Sequence, residues 1–157
     1  LEPKEALRLV CRLSRDNSRT PFQWDGSANA GFTAGGKPWL GVNPNYTRIN
    51  LAQQRGREDS LYEFYRSLSA LRKDPAYRES LVYGSLVPYL PEQKNLMAYY
   101  RKGDKTLLVC GNFQTAPQDM ALPGKVKAVI LNNLPGYEAE ERALHLEGYQ
   151  FLVLELE

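Results

Sequence analysis

The feature that most constrains this fold is a change of hydrophobic period at Leu81. From there "LVYGSLVPYL", "NLMAYYRK", "TLLVCGNF", "KAVILNN" and "YQFLVLELE" follow one another as short apolar runs with turn residues between them. Runs this short, bounded by Gly, Pro, Asn and Asp, read as strands rather than core helices. Lys102-Gly103-Asp104-Lys105 reads as the hairpin joining two of them. The spacing predicts an antiparallel β-sandwich or barrel of roughly 75 residues. In the last run Leu152, Leu154 and Leu156 share one face, and Phe151 and Val153 share the other. That strand is therefore expected to be buried on both sides.

Two earlier segments carry a helical period instead. Residues 3–13 place Ala6, Leu7, Val10 and Leu13 on one side, with Pro3 suited to a first helical turn and a stop near Ser14. Residues 60–73, "SLYEFYRSLSALRK", align Leu61, Phe64, Tyr65, Leu68 and Leu71 on one face. Ser60 and Glu63 have the spacing of a capping box, and Asp74-Pro75 is the expected stop. A domain boundary is expected near Pro75 to Glu79, giving units 1–75 and 76–157. The predicted class is mainly β, an antiparallel sandwich preceded by one or two helices and a long loop.

That loop, residues 14–57, poses the functional question. It is rich in Gly, Asn, Pro and Asp and has little apolar surface to repay its ordering entropy. A stretch of this length without regular structure is expected to be functional or to rest on another element. Its opening, "SRDNSRTPFQWDGSANAGFTAGGKPW", concentrates arginine, aspartate, amide and tryptophan side chains. Arg offers a rigid fork of donors, Asp and Asn bind hydroxyls, and Trp offers a flat face. Such a set suits neutral polyols, or else locks a long loop through an Arg–Asp network. Asp16 and Asp25 are the carboxylates that a hydrolytic pair would draw on here.

Other chemistries have little support. The formal charge is +2 with scattered signs, which argues against nucleic acid as a partner. Cys11 and Cys110 allow one disulfide, but the expectation is two buried thiols in a reducing cytoplasm. No run approaches the ~20 apolar residues of a membrane span, and no signal peptide or metal-ligand spacing stands out. The single histidine, His145, is expected to be a half-buried strand residue. "TAGGKPW" is not a phosphate-binding loop, because the glycine spacing is wrong and no Ser or Thr follows the lysine. The chain opens mid-element without Met, which reads as a fragment of a longer parent.

The strings "SRDNSRTPFQWDGSANAGFT", "KPWLGVNPNY" and "INLAQQRGREDSLYEFYRSLSALRK", in that order, resemble the C-terminal third of the oligo-1,6-glucosidase and α-glucosidase group. This group lies within the α-amylase superfamily, glycoside hydrolase family 13. The resemblance spans nearly the whole chain, and its S-R-D-x-x-R-T-P-x-Q-W string is highly specific. It implies a parent with a (β/α)8 barrel, an inserted small domain and a C-terminal antiparallel β-sandwich. Residues 1–75 would then be the end of the barrel, with 14–57 as an active-site loop and 60–73 as the last barrel helix. By the same resemblance Arg15 reaches the glucose of the −1 subsite, and Arg19 acts near the +1 region or braces the loop. Asp16, Gln23 and Trp24 would support the loop. The family's three catalytic carboxylates belong to earlier barrel strands, so no catalytic residue is assigned, and the 157 residues alone are expected to be inactive.

The implied parent is a cytoplasmic, retaining, exo-acting enzyme cutting α-1,6 or related glucosidic bonds of short oligosaccharides. It needs no cofactor, and its partners are the glucosyl oligosaccharide and its own N-terminal barrel portion. Trehalose-6-phosphate hydrolases and sucrose isomerases belong to the same group and remain alternatives. From a different class, the sandwich is readable as an autonomous carbohydrate-binding or interaction module, with Tyr83, Tyr89, Tyr99 and Tyr100 as a stacking platform.

Overall fold

The structure is a computed structural model that describes residues 1–140 and 142–157, apart from the side chains of Leu13 and Asn17. The chain divides into two compact units, Leu1–Phe64 and Tyr65–Glu157. The division falls inside a helix, some residues earlier than the boundary at 75/76 that the sequence suggests.

The first unit opens with α1, Pro3–Leu13, which starts where Pro3 pre-sets the backbone. It ends where the Ser14 N–H closes on the Val10 carbonyl at 2.8 Å. Its expected apolar face is open: Leu7 and Val10 are exposed, and the Leu13 side chain lies outside the described residues. Beyond it the 14–57 stretch is a chain of tight turns rather than one loop. Two 3-10 turns, Arg15–Ser18 and Pro44–Thr47, and between them a tight turn, Ala28–Gly31, with Asn29 and Ala30 left-handed at φ 55° and 58°, precede a short helix α2, Leu51–Gln54.

Helix α3, Leu61–Leu71, begins at Ser60, whose Oγ accepts the Glu63 N–H at 3.2 Å. The reciprocal half of the expected capping box is replaced. The Ser60 N–H donates to the Arg57 carbonyl at 3.0 Å, and the Glu63 carboxylate accepts the Gly56 N–H at 2.8 Å. The preceding turn has already satisfied the donor that the box would serve, so the glutamate reaches one turn further back. Leu61 and Tyr65 on its apolar face are exposed.

In the second unit a five-residue π-turn, Glu79–Tyr83, leads into eight strands: β1 Ser85–Pro88, β2 Leu96–Lys102, β3 Thr106–Asn112, β4 Gln118–Ala121, β5 Val126–Asn132, β6 Glu138–Ala139, β7 Ala143–Leu146 and β8 Phe151–Leu156. They form two antiparallel sheets, one ordered β1-β2-β3-β8-β5 and the other β4-β7-β6. The five apolar runs of the sequence are the five strands of the larger sheet. The smaller sheet comes from segments that carried no strand signal. The first of the runs splits, since its 81–83 portion is wound into the π-turn and only Ser85–Pro88 pairs.

The core lies between the sheets. Leu108 and Cys110 of β3 and Leu152, Leu154 and Leu156 of β8 meet Met120 of β4 and Leu144 and Leu146 of β7. Each fully buried aliphatic chain of this kind contributes about 1.5–3 kcal/mol. Burial pushes the Cys110 thiol up to about 12. Cys11 is exposed on α1, so the expectation of two buried thiols holds for Cys110 only, and no disulfide forms.

β8 is buried on both faces, as its alternation predicts. Its outward face includes Glu155, 4% exposed, whose carboxylate meets Lys127 Nζ at 2.7 Å and Lys105 Nζ at 3.5 Å. The Lys127 hydrogen bond first, then the Lys105 charge, hold this carboxyl below the ordinary glutamate range, against the effect of burial. A depressed value contributes stability that is present above the unfolded-state pKa and lost as pH falls through the folded one. Glu155→Gln is therefore expected to lower the urea midpoint at pH 7. Its deficit against the wild type should shrink on acidification below about 4. A deficit that stays constant with pH would contradict this assignment.

Glycine is required at Gly84. A Cβ there would lie 2.4 Å from the Ser80 carbonyl oxygen and 2.7 Å from that of Lys102, both backbone atoms. Ser80, fully buried, fixes the other side of this joint. Its Oγ donates to Asp104 at 2.7 Å and accepts the Lys105 N–H at 2.9 Å. This ties the π-turn to the β2–β3 hairpin, whose turn falls at 103–105 as the sequence indicates.

Candidate functional site

The site is built on the turns that follow α1. Ser14 caps the Arg15–Ser18 turn by accepting the Asp16 N–H at 3.3 Å. Ser18 Oγ donates to the Arg15 carbonyl at 2.9 Å, and the Arg19 N–H donates to the Asp16 carbonyl at 3.1 Å. One turn of 3-10 helix brings residues three apart onto one side. The Arg19 guanidinium accordingly pairs with the Asp16 carboxylate. Arg15 sits on the same turn, exposed, and no side chain among the described residues pairs with its guanidinium.

The chain is then tied to the start of α2. The Leu51 and Ala52 N–H groups, orphan donors of the helix N-terminus, donate to the Gln23 and Trp24 carbonyls at 2.9 Å each. The Gln23 amide donates back to the Ile49 carbonyl. Asn50 completes the cap, its Oδ1 accepting the Gln53 N–H at 3.0 Å and its Nδ2 donating to the Tyr46 carbonyl at 2.7 Å. On the other side the Trp24 N–H donates to the Ala30 carbonyl at 2.9 Å. Gln23 and Trp24 are thus tied into the turn framework.

Asp25 belongs to that framework as well. Its carboxylate accepts the Ser27 hydroxyl and, at 2.8 Å, the Ser27 N–H. These bonds hold it below the ordinary aspartate range, the side-chain bond first. Gly31, at φ +66°, lies so close that a Cβ would come within 2.7 Å of this carboxylate. Asp25 is a turn anchor.

A cleft of about 450 Å³ opens beside the first turn, lined by Asp16 and Arg19 together with Phe22, Phe32, Trp39 and Leu40. Phe22 and Trp24 meet edge to face at 4.8 Å. Trp39 is 98% exposed at the rim. Of the residues singled out from sequence, Asp16 and Arg19 line this cleft, whereas Arg15, Gln23 and Trp24 do not. Phe22 and Phe32 were missed, and Trp39 entered only as one of the tryptophans of the Ser14–Trp39 stretch. The available signal was two aromatics placed directly after prolines, in Thr20-Pro21-Phe22 and Lys37-Pro38-Trp39. A larger groove of about 940 Å³ lies along β5 in the second unit. It holds none of the motif residues, so size alone does not mark the site.

The tyrosines of the second unit do not form one platform. Tyr89 and Tyr100 lie 5.2 Å apart and pack against the core, with Tyr89 Oη donating to the Ala121 carbonyl at 3.2 Å. Tyr99 and Tyr100 are adjacent on β2 and so face opposite sides of the sheet. Tyr83 is exposed under Arg78, whose guanidinium sits 5.5 Å from its ring centroid. Strand alternation disperses what looked contiguous in sequence. Among the described residues no group of three or more His, Cys, Asp or Glu is placed to hold a metal ion. No helix among them is long and apolar enough to cross a membrane.

Comparison with known proteins agrees with this geometry. The family model for the α-amylase catalytic domain matches residues 1–84. A glucan 1,6-alpha-glucosidase of Streptococcus pneumoniae is 40% identical over 140 residues, covering 88% of this chain and 25% of that protein. An oligo-1,6-glucosidase of Bacillus cereus is 36% identical over 158 residues, covering 98% and 28%. A trehalose-6-phosphate hydrolase of Escherichia coli is 44% identical over 110 residues, covering 69% and 19%. Among solved structures, an isomaltulose synthase of a Klebsiella species superposes with a TM-score of 0.82 at 38% identity, over 92% of this chain and 26% of that one. The trehalulose synthase of Pseudomonas mesoacidophila superposes with a TM-score of 0.86 at 39% identity, over 97% and 28%. The chain spans about a quarter of the length of the curated relatives it matches. With more than half of its residues matched by that model, and its fold shared with these enzymes over nearly its full length, the chain belongs to the α-amylase family.

Proposed function

We propose that the chain is the C-terminal part of a retaining, exo-acting α-glucosidase that hydrolyses α-1,6 or related glucosidic bonds of short oligosaccharides. The observation that carries this is the Ser14–Trp24 string, folded as a capped turn that presents Arg15 outward beside the Asp16–Arg19 pair. The names of the relatives, chiefly glucan and oligo-1,6-glucosidases, support the same bond type. In this reading residues 1–75 close the barrel and contribute the 14–57 loop and the last barrel helix, and 76–157 form the accessory sandwich. Arg15 contacts the −1 glucose, and Arg19 acts at +1 or braces the loop. Asp16, Gln23 and Trp24 keep the loop in place. The acid/base and nucleophile come from the parent's barrel portion, and the substrate is a glucosyl oligosaccharide. A parent that cleaves trehalose 6-phosphate or isomerises sucrose remains the second reading, since relatives of both kinds match.

The test is glucose release from isomaltose, measured on the purified 157-residue chain and on the full-length enzyme. The expected result is turnover by the full-length enzyme and none by the chain above a mock preparation. Turnover by the chain would overturn its inactivity. A full-length enzyme inert on isomaltose but active on trehalose 6-phosphate or sucrose would move the assignment to the second reading.

A further inference from the structure

The smaller sheet is held together by very little backbone. β4 has four residues and β6 two, and both pair with the central strand β7. In register, Asp119 of β4 and Glu138 of β6 both lie directly opposite His145 of β7. The three side chains therefore form a row across one face, carboxylate, imidazole, carboxylate.

We propose that this row is a proton-linked clip, fastening β4 and β6 to β7 when His145 is charged and loosening as pH rises. The imidazole is placed for that role. His145 Nδ1 lies 2.7 Å from an Asp119 carboxylate oxygen, and Nε2 lies 3.7 Å from a carboxylate oxygen of Glu147, just beyond β7. Both ring nitrogens face anions. A neutral imidazole has one N–H and can serve only one of them, whereas the imidazolium serves both. The groups around it are Asp119 from β4, Glu138 from β6 and Glu147 from its own chain segment. Tyr137 and Glu140 line the same cleft. Among the described residues no cation other than His145 itself belongs to that lining.

The proton affinity of the ring agrees with the geometry. The Asp119 hydrogen bond is the main cause that raises His145 above its ordinary 6.5; desolvation opposes it, and the charges of Asp119, Glu147 and Glu138 each add a smaller upward effect. A raised folded-state value gives stability that is fully present below the unfolded-state pKa and lost as pH rises through the folded one. Asp119 and Glu147 are largely exposed, so salt should weaken the clip.

The experiment uses the fact that His145 is the one histidine of the chain. Its ring proton signal is followed by NMR through pH 5 to 9, and hydrogen exchange of the β4 and β7 amides is compared at pH 5.5 and 8, corrected for intrinsic rates. The expected result is a midpoint above 6.5 and protection at least ~2-fold greater in acid, in the range a solvent-screened pair supplies. That pH dependence should vanish in His145→Gln and Asp119→Asn, while the β3 and β8 amides keep the wild-type pattern. A midpoint at or below 6.5, or the same pH dependence in His145→Gln, overturns the proposal. If either variant fails to fold, the wild-type titration decides by itself.

Discussion

Asn112→Ala is expected to lower the stability of the sandwich by about 3 kcal/mol. Asn112 ends β3, is fully buried, and connects loops at one end of the two sheets. Its Nδ2 donates to the Ala116 carbonyl at 2.8 Å and the Glu147 carbonyl at 3.0 Å, with Leu146 further away at 3.4 Å. Its Oδ1 accepts the Gln114 N–H at 2.9 Å. The β3–β4 and β7–β8 connections thus share one side chain. Gln150 continues the network, its backbone carbonyl accepting the Asn112 N–H at 2.9 Å and its own amide reaching Asn132 and Gly136 at 3.1 Å each. Alanine would strand two carbonyls and one N–H, each costing roughly 1–3 kcal/mol if it stays dry and unpaired. For a unit of this size the melting temperature should fall by about 12–24 °C. Asn112→Asp separates hydrogen bonding from packing. It keeps the shape but puts acceptors against carbonyls, so it should be at least as damaging as alanine. Thermal and urea unfolding followed by circular dichroism checks both. A loss below ~1 kcal/mol for both variants would mean that water or a rearranged loop replaces the side chain.

That network also shows where sequence reading stops. The larger sheet was legible because each of its strands carries an apolar run, and β8 was legible in detail from the alternation of Leu152, Leu154 and Leu156 with Val153. The smaller sheet was not. β4 reads Gln-Asp-Met-Ala and β6 Glu-Ala, with too few apolar residues for a period to emerge, and only Leu144 and Leu146 of β7 point inward with Met120. These strands exist because the larger sheet needs a cover, which is a tertiary demand. The same holds for the π-turn. Leu81 and Val82 look like strand residues, but the close approach of Gly84 to the Ser80 and Lys102 carbonyls bends the chain there. Helix ends, in contrast, were local matters. Pro3, Ser14 and Ser60 announce the limits of α1 and the start of α3 by their own chemistry. At the candidate site the motif identified the turn carrying Arg15, Asp16 and Arg19. Nothing in it signals that Gln23 and Trp24 pair through their carbonyls with α2, because backbone pairing leaves no mark on side-chain identity.

The two arginines of that turn should respond differently to substitution, and this difference is the sharpest activity test. In the full-length enzyme Arg15→Ala is expected to reduce kcat/KM on isomaltose by about 100-fold with the melting temperature unchanged. The reasoning starts from their partners. Among the described residues no side chain pairs with the Arg15 guanidinium, so its removal leaves none of their carboxylates unpaired. Its five N–H groups are available to a ligand, and a hydrogen bond from a charged group to a sugar hydroxyl is worth about 1.5–3 kcal/mol, or roughly 10- to 150-fold. Arg19 is committed to Asp16 across the turn. That pair is well exposed, so Arg19→Ala should cost little global stability. It should still free the Asp16 carboxylate and loosen the wall of the cleft that both residues line. The effect expected of Arg19→Ala is therefore a raised KM with a smaller change in kcat. Arg15→Lys discriminates further: a point charge cannot reproduce the planar fork, so it should recover no more than a tenth of the lost activity. If Arg15→Ala were near wild type while Arg19→Ala lost two orders of magnitude, the roles would be exchanged, with Arg19 the sugar contact despite its tie to Asp16. If neither substitution changed kcat/KM, the turn would be a structural brace and the sugar pocket would lie elsewhere in the parent enzyme.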